Sequence, residues 1–86
     1  MDLKLLAVFD EVYKTRSVTR AGENLGLAQS SISIALGRLR RHFGDPLFVR
    51  TSGGMLPTPH ATTLVAPVRQ ALELLRGITR QQAQFD

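Results

Sequence analysis

The chain has no cysteine, which excludes disulfide bonds and thiolate metal sites. It also has no apolar run long enough to form a membrane-spanning helix, because Asp10 and Glu11 interrupt the first apolar stretch. The first residues include Asp2 and Lys4 and do not have the order of charge and apolarity of a secretory signal peptide. These absences are compatible with a reducing cytoplasm, and we expect a cytoplasmic protein with no membrane partner.

Arrangements of catalytic residues are also scarce. His42 and His60 are far apart in the sequence, and no acidic residue stands at ligand spacing from either of them. The serines between residues 30 and 33 have no base beside them. Gly53-Gly54 lacks the following Lys-Ser/Thr pair of a phosphate-binding loop. We therefore expect no enzymatic activity, no metal site and no cofactor bound by this chain.

The middle of the chain carries an excess of positive charge. The 86 residues suffice for one small domain, with a net charge of +4 at pH 7. Residues 14–50 have seven basic side chains against two acidic ones, whereas residues 1–13 are net acidic and residues 51–86 almost neutral. Basic side chains release counterions from DNA phosphates and so supply non-specific affinity. The basic side chains are equally compatible with a solvent-exposed surface that binds nothing. The neighbouring motif therefore decides between this explanation and DNA binding.

Two short amphipathic segments within residues 17–41 meet at a glycine. Ser17 is a suitable cap for the first helix, and Gly26 suits the turn that ends it. Leu27 is expected to fill the angle between the two helices. The apolar positions are Val18, Ala21 and Leu25 in the first helix, and Ile32, Leu36 and Leu39 in the second. The outward residues of the second helix are short, polar and basic, which is typical of a helix in the DNA major groove.

The flanking segments complete a winged helix-turn-helix. A first helix is predicted over Leu3–Lys14, and the third over about Gln29–Phe43, ended by Gly44 and Pro46. The β-prone segment 47–50, a turn at 52–54 and a return at 55–56 predict a two-stranded wing. The fold class is therefore mainly α, with three helices and a two-stranded wing over residues 1–58.

A long amphipathic helix is predicted from Pro59 to about Ala83, after the capping residue Thr58. Its expected pairing stripe consists of Leu64, Val68, Ala71, Leu72, Leu75 and Ile78. Pro67 is expected to kink the helix near Thr63 without ending it. A helix this long extends beyond the small core that could cover its apolar stripe. The stripe therefore either folds back on the core or pairs with a second copy of the chain. Residues 59–86 are interpreted as a linker and dimerisation helix.

The predicted DNA-contacting residues come from the second helix, the third helix and the wing. They are Thr19, Arg20, Gln29, Ser30, Ser31, Ser33, Ile34, Arg38, Arg50, Thr51 and Ser52. Gln29 suits an adenine edge, Ser33 a phosphate, and Arg50 a phosphate or the minor groove. Ile34 is explained either by a thymine methyl or by a plain core contact, and the sequence leaves both open.

The order and motifs of the chain resemble the N-terminal DNA-binding domain of bacterial LysR-type transcriptional regulators. The resemblance rests on Leu6 and Phe9, on SVTRAGENLGLAQSSIS, on DPLFVRT at Asp45–Thr51 and on PTPHA at Pro57–Ala61. It covers essentially the whole chain. The last two motifs are similar to the subgroup that contains nodulation and aromatic-degradation regulators.

This resemblance implies double-stranded DNA as the partner, read as an interrupted inverted repeat by a dimer or tetramer. It also implies an effector-binding domain after the pairing helix, absent from this chain, that senses a small molecule. The family often has Ala at Gly22, Pro at Ser30 and a polar or basic residue at Ile34, so the sequence preference is expected to differ. The alternative function is a winged helix that binds protein, although such domains lose the basic, polar recognition face kept here.

Overall fold

Four helices and one antiparallel strand pair make up the described part of the chain, which in this computed structural model is the backbone of residues 1–84 and the side chains of residues 1–80. The elements are α1 (Leu3–Thr15), α2 (Val18–Leu25), α3 (Gln29–Phe43), β1 (Phe48–Thr51), β2 (Gly54–Pro57) and α4 (Pro59–Gln84). This order confirms the predicted mainly α winged helix-turn-helix followed by a long helix. Phe85 and Asp86, the end of the predicted linker, lie outside the described residues.

The helix ends follow from local hydrogen bonds. The Ser17 hydroxyl accepts from the amide of Arg20 at 3.1 Å, and the Thr58 hydroxyl accepts from the amide of Ala61 at 3.1 Å. Gly26 and Gly44 end α2 and α3 in the left-handed conformation, as predicted. Both helices therefore have the predicted bounds.

The core is built around α1. Every apolar position predicted to face inward on α2 and α3 is buried or packs against the buried cluster. The buried apolar residues are Val8, Phe9, Val12, Val18, Ala21, Ile32, Ala35, Leu36, Leu39, Leu47, Phe48, Met55, Ala61, Val68 and Leu72. Residues of all six elements belong to this cluster, so the wing and the long helix are part of one core.

The wing begins one residue later than predicted because Leu47 has a left-handed backbone, with φ of 63°. This conformation is unusual for a residue with a side chain and costs about 1–3 kcal/mol. Two contacts hold it: the Leu47 amide donates to Asp45 Oδ2 at 2.8 Å, and its carbonyl accepts from the amide of Thr58 at 2.9 Å. Leu47 is fully buried, so packing offsets the strain.

The first half of α4 packs on α1, which corrects the predicted pairing stripe at two positions. Val68 and Leu72 retain only 6 % and 3 % of their exposure within a single chain, so they are covered without a partner. Arg69 Nε donates to Asp10 Oδ1 of α1 at 2.7 Å on the same side. Folding back on the core, the alternative expectation, thus describes this half, and α4 continues through Pro67 without a break.

The second half of α4 leaves apolar side chains uncovered. Leu75 is 38 % exposed and Ile78 is 60 % exposed. Leu74 is 71 % exposed beside them and was not predicted. Leu64 and Ala71 are half-buried. None of the helices in the described residues is both long and apolar enough to cross a membrane.

Candidate nucleic-acid interface

A polar groove of about 480 Å³ runs between the helix-turn-helix and the wing. The α1–α2 junction and the first turn of α2 form one wall, the start of α3 the floor, and the wing the other wall. Its lining includes five predicted DNA-contacting residues, namely Thr19, Arg20, Gln29, Arg50 and Ser52. The fold therefore brings residues from three separate segments of the sequence to one surface.

A backbone hydrogen bond joins the wing to the turn after α1. The amide of Met55 in β2 donates to the carbonyl of Arg16 at 2.9 Å. Arg16 itself ends α1 in the left-handed conformation, with φ of 58°. A side chain at Gly54 would place its Cβ 2.6 Å from that carbonyl oxygen, so the wing approaches this closely only because residue 54 is Gly. The turn after α1 and the wing, which form the two walls of the groove, are thus held together at the backbone.

The outer face of α3 carries a second, smaller groove of about 230 Å³. It is lined by Ser31, Ile34, Ala35 and Arg38 of α3 and by Asp2, Lys4 and Leu5 at the start of α1. Ser31 is half-buried, whereas Ile34 and Arg38 are exposed. Ser30 and Ser33 are exposed on the same helix, and Thr51 is exposed at the tip of β1. All eleven predicted residues thus lie on the helix-turn-helix or the wing, and five of them share the larger groove.

Two basic residues of these grooves were missed by the sequence analysis. Arg16 lines the larger groove and Lys4 the smaller one. Arg16 donates from Nε to the carbonyl of Tyr13 at 2.7 Å, with its guanidinium 5.0 Å from the centre of the Tyr13 ring. Lys4 stands in an acidic stretch of sequence, and only the packing of α1 on α3 brings it beside Arg38. No local pattern would have found either residue.

The two helices of the motif approach each other most closely at Gly22. A Cβ at this position would lie 2.7 Å from the backbone oxygen of Leu27. The amide of Leu27 in turn donates to the carbonyl of Gly22 at 2.8 Å, which closes the turn. Position 22 therefore requires a very small residue, and this close approach helps to set the angle at which α3 presents its outer face.

The two histidines both lie near one aromatic ring. Their ring centres are 4.9 Å from Phe43 for His42 and 6.1 Å for His60. In the part of the chain that the structure describes, no three His, Asp or Glu side chains come together as a metal site would require.

The fold and the grooves define a winged helix-turn-helix protein. Residues 3–62 match the family described as "Bacterial regulatory helix-turn-helix protein, lysR family". This match covers more than half of the chain, and the chain belongs to the LysR family of bacterial regulators.

Similar proteins of known name are transcriptional regulators. The chain is 48 % identical over 86 residues to the HTH-type transcriptional activator NahR of Pseudomonas putida. The aligned region covers 100 % of this chain and 29 % of NahR. It is also 46 % identical over 77 residues to the regulator LeuO of Escherichia coli. This aligned region covers 90 % of the chain and 24 % of LeuO. The chain therefore spans less than a third of the length of these relatives.

One solved structure agrees in both sequence and fold. It is the probable transcriptional regulator PA0477 of Pseudomonas aeruginosa, with a TM-score of 0.87, 41 % identity, and coverage of 95 % of this chain and 28 % of that one. The BenM DNA-binding domain, solved in complex with its catB site 1 DNA, has a TM-score of 0.89 at 24 % identity and shows the same fold. It covers 99 % of this chain and 96 % of that one.

Proposed function

We propose that this chain is the DNA-binding domain of a bacterial LysR-type transcriptional regulator and that it binds double-stranded DNA in a sequence-specific manner. The observation that carries the proposal is the larger groove, where Arg20, Gln29 and Arg50 converge from three segments of the chain. In this arrangement the start of α3 enters the major groove. The wing then reaches a neighbouring phosphate or the minor groove.

The roles of the side chains follow from their chemistry. Gln29 at the start of α3 suits a bidentate contact to adenine, while Ser33 sets the register at a phosphate. Arg20 and Arg50 stand on opposite walls of the larger groove and bind the phosphate backbones of the two DNA strands. The outer faces of α3 and the wing thus keep their basic and polar side chains. A winged helix that binds protein instead lacks such a face.

The test is selection of preferred sites from random duplex DNA, followed by binding to the selected site at increasing salt. We expect enrichment of one half-site and a steep fall of affinity with salt, because basic side chains replace counterions at the phosphates. Failure to enrich any sequence, together with affinity that salt leaves unchanged, would contradict the proposal.

We also infer that the chain forms a dimer through the second half of α4. Leu74, Leu75 and Ile78 are uncovered there, and Leu75 also lines an apolar hollow of about 390 Å³ together with Leu3, Ala7 and Leu72 among others. A symmetric pair of helices would cover these side chains, and two domains would then read an interrupted inverted repeat. In a longer regulator such dimers assemble into tetramers.

Light scattering tests the dimer. Replacing both Leu74 and Ile78 by Asp buries unpaired charge in the proposed contact, so we expect monomers at micromolar concentration. Leu56→Asp is the matched control, because Leu56 is an apolar wing residue that is 55 % exposed. A double variant as dimeric as the control would exclude this surface.

The function of the whole regulator extends the same proposal. An effector-binding domain follows α4, senses a small molecule and acts on transcription in the cytoplasm through the helix that connects it to the DNA-binding domain. The relatives' lengths support a further domain of this kind, since the chain spans 29 % of NahR.

A further inference from the structure

Ile34 is a large apolar side chain on an otherwise polar face of α3. It remains 60 % exposed, whereas Ile32, Ala35, Leu36 and Leu39 of the same helix are buried. At 3.6 residues per turn, Ile34 falls on the side of α3 away from Ile32, Leu36 and Leu39, and it shares the smaller groove with Ala35. Burial in the core, one of the two explanations compatible with the sequence, does not account for the 60 % of Ile34 that stays exposed.

The neighbours of Ile34 leave it open to a close contact from outside. Ser30 lies one turn before it and Arg38 one turn after it, both exposed on the same face. Gly37, three residues on, adds no side chain, and the nearest atom to a Cβ there would be the Arg41 guanidinium at 3.8 Å. An apolar group is thus presented between polar and basic ones.

The charge around Ile34 indicates the chemistry of what it contacts. Lys4 and Arg38 line the same groove, with Asp2 as its one acidic residue among those described. An apolar protein surface placed there would remove two cations from water with only the Asp2 carboxylate as a partner, which is costly. The major groove of DNA instead offers apolar methyl groups on its floor and phosphates along its edges.

We propose that Ile34 reads a thymine through its 5-methyl group and so determines part of the sequence preference. Thymine alone among the four standard bases presents a methyl group in the major groove. The inference rests on the proposed DNA-binding function and names one base that the domain recognises. Gln29, at the start of α3, and the adjacent Ser33 supply polar contacts, while Ile34 adds selection that no hydrogen bond provides.

The experiment uses the half-site obtained by selection and replaces each thymine in turn by uracil, which removes only the methyl group. We expect one uracil position at which the wild-type chain loses about fourfold in affinity, the effect of one methyl group left unburied. Ile34→Ala should bind the thymine duplex about that much more weakly and be indifferent to uracil at that position. Ala is the better helix former and the side chain is exposed, so α3 should stay folded.

Two further variants, one as a control and one with a milder change, allow the uracil measurement to be interpreted. Leu56→Ala removes an exposed apolar side chain from the wing and should keep the full sensitivity to uracil. Ile34→Val retains a branched apolar side chain and should keep a reduced sensitivity, which can be measured even if Ile34→Ala binds too weakly.

The outcomes separate this inference from the proposed function. If the selected duplex binds with a steep salt dependence but no uracil affects the wild type more than Ile34→Ala or Ile34→Val, Ile34 does not read thymine and DNA binding stands. If no duplex is selected and salt has no effect, both the DNA-binding function and the role of Ile34 are overturned.

Discussion

At the scale of single residues, Arg50 tests the contact between the wing and DNA. Its side chain lies on the groove side of the wing, because its cross-strand partner is the buried Met55. We expect Arg50→Ala to weaken binding to all sequences alike and to reduce the slope of log affinity against log salt by about one, as for loss of one phosphate contact. Arg80→Ala removes the same charge from α4, away from both grooves, and should leave the slope unchanged. Equal slopes in the wild type and in Arg50→Ala would place Arg50 away from phosphate.

Asp45 is one of two carboxylates that are expected to make the fold sensitive to acid. Hydrogen bonds from the Thr58 hydroxyl at 2.7 Å and from the Leu47 amide at 2.8 Å hold the pKa of its carboxyl below the usual range. A lowered pKa stabilises the fold above the pKa of the unfolded chain, and this stabilisation is lost as the pH falls through the folded-state pKa.

We therefore expect the melting temperature of the wild type to fall more between about pH 6 and about pH 3 than that of Asp45→Asn, which has no such proton to take up. The pKa of Glu11 is lowered too, chiefly by a hydrogen bond from Asn24, so both proteins keep part of the acid sensitivity. Glu23→Gln, an exposed change on α2, should follow the wild type. The same fall in Asp45→Asn as in the wild type would contradict this role.

At the scale of elements, the wing offers a comparison of two adjacent glycines. Gly54 has φ of 121° and faces the Arg16 carbonyl, whereas a Cβ at Gly53 would meet only the Thr51 hydroxyl at 4.0 Å. Gly54→Ala should lower the free energy of unfolding in urea by about 1–3 kcal/mol, because both strain and the backbone clash oppose it. Gly53→Ala should cost less than about 0.5 kcal/mol. Similar losses in the two variants would mean that the wing shifts freely on the Arg16 carbonyl.

The elements also show what the sequence could and could not predict. The bounds of α2 and α3 followed from apolar spacing together with Ser17, Gly26 and Gly44, because caps act within a few residues. The burial of Val68 and Leu72 did not follow, since periodicity identifies an apolar face but not what covers it. The left-handed backbone of Leu47 also had no local signal, because Asp45 and Thr58 impose it from either side.

The residues of the candidate site also divide into those that the sequence predicted and those that only the structure showed. The helix-turn-helix pattern placed Arg20 and Gln29 beside one groove, and the turn signal added Arg50 of the wing. Lys4 and Arg16 required the packing of α1 against the rest of the chain. The openness of Ile34 also became clear only once the buried side of α3 was known.

At the scale of the whole molecule, α1 connects the wing to the long helix. The rings of Phe9 and Tyr13 on α1 lie 5.6 Å and 6.4 Å from that of Phe48 at the start of β1. On the α4 side, Arg69 bonds the buried Asp10 and places its guanidinium 5.5 Å from the centre of the Tyr13 ring. The side chains of α1 thus contact both the wing and α4.

Two ion pairs of α4 allow this connection to be tested. Arg69→Ala leaves the Asp10 carboxylate, whose side chain is 12 % exposed, without its cation, and should lower the free energy of unfolding by about 1–2 kcal/mol. Arg80→Ala breaks the pair with Glu73, in which both side chains are 66 % exposed, and should change it by less than about 0.5 kcal/mol. Urea unfolding measures both, and equal losses would show that the Asp10 pair is no more than a surface contact.

The burial of Val68 and Leu72 beneath α1 has a consequence for exchanging parts between regulators. A recombination junction placed at residue 58, where the wing ends, would separate α1 from the side chains that cover it, and the transplanted piece would carry an open core. A junction after residue 80 would carry these side chains along with the helix-turn-helix. The interchangeable unit of this protein is accordingly the winged helix together with most of α4, and grafts that respect this limit should keep their DNA preference under a foreign sensor.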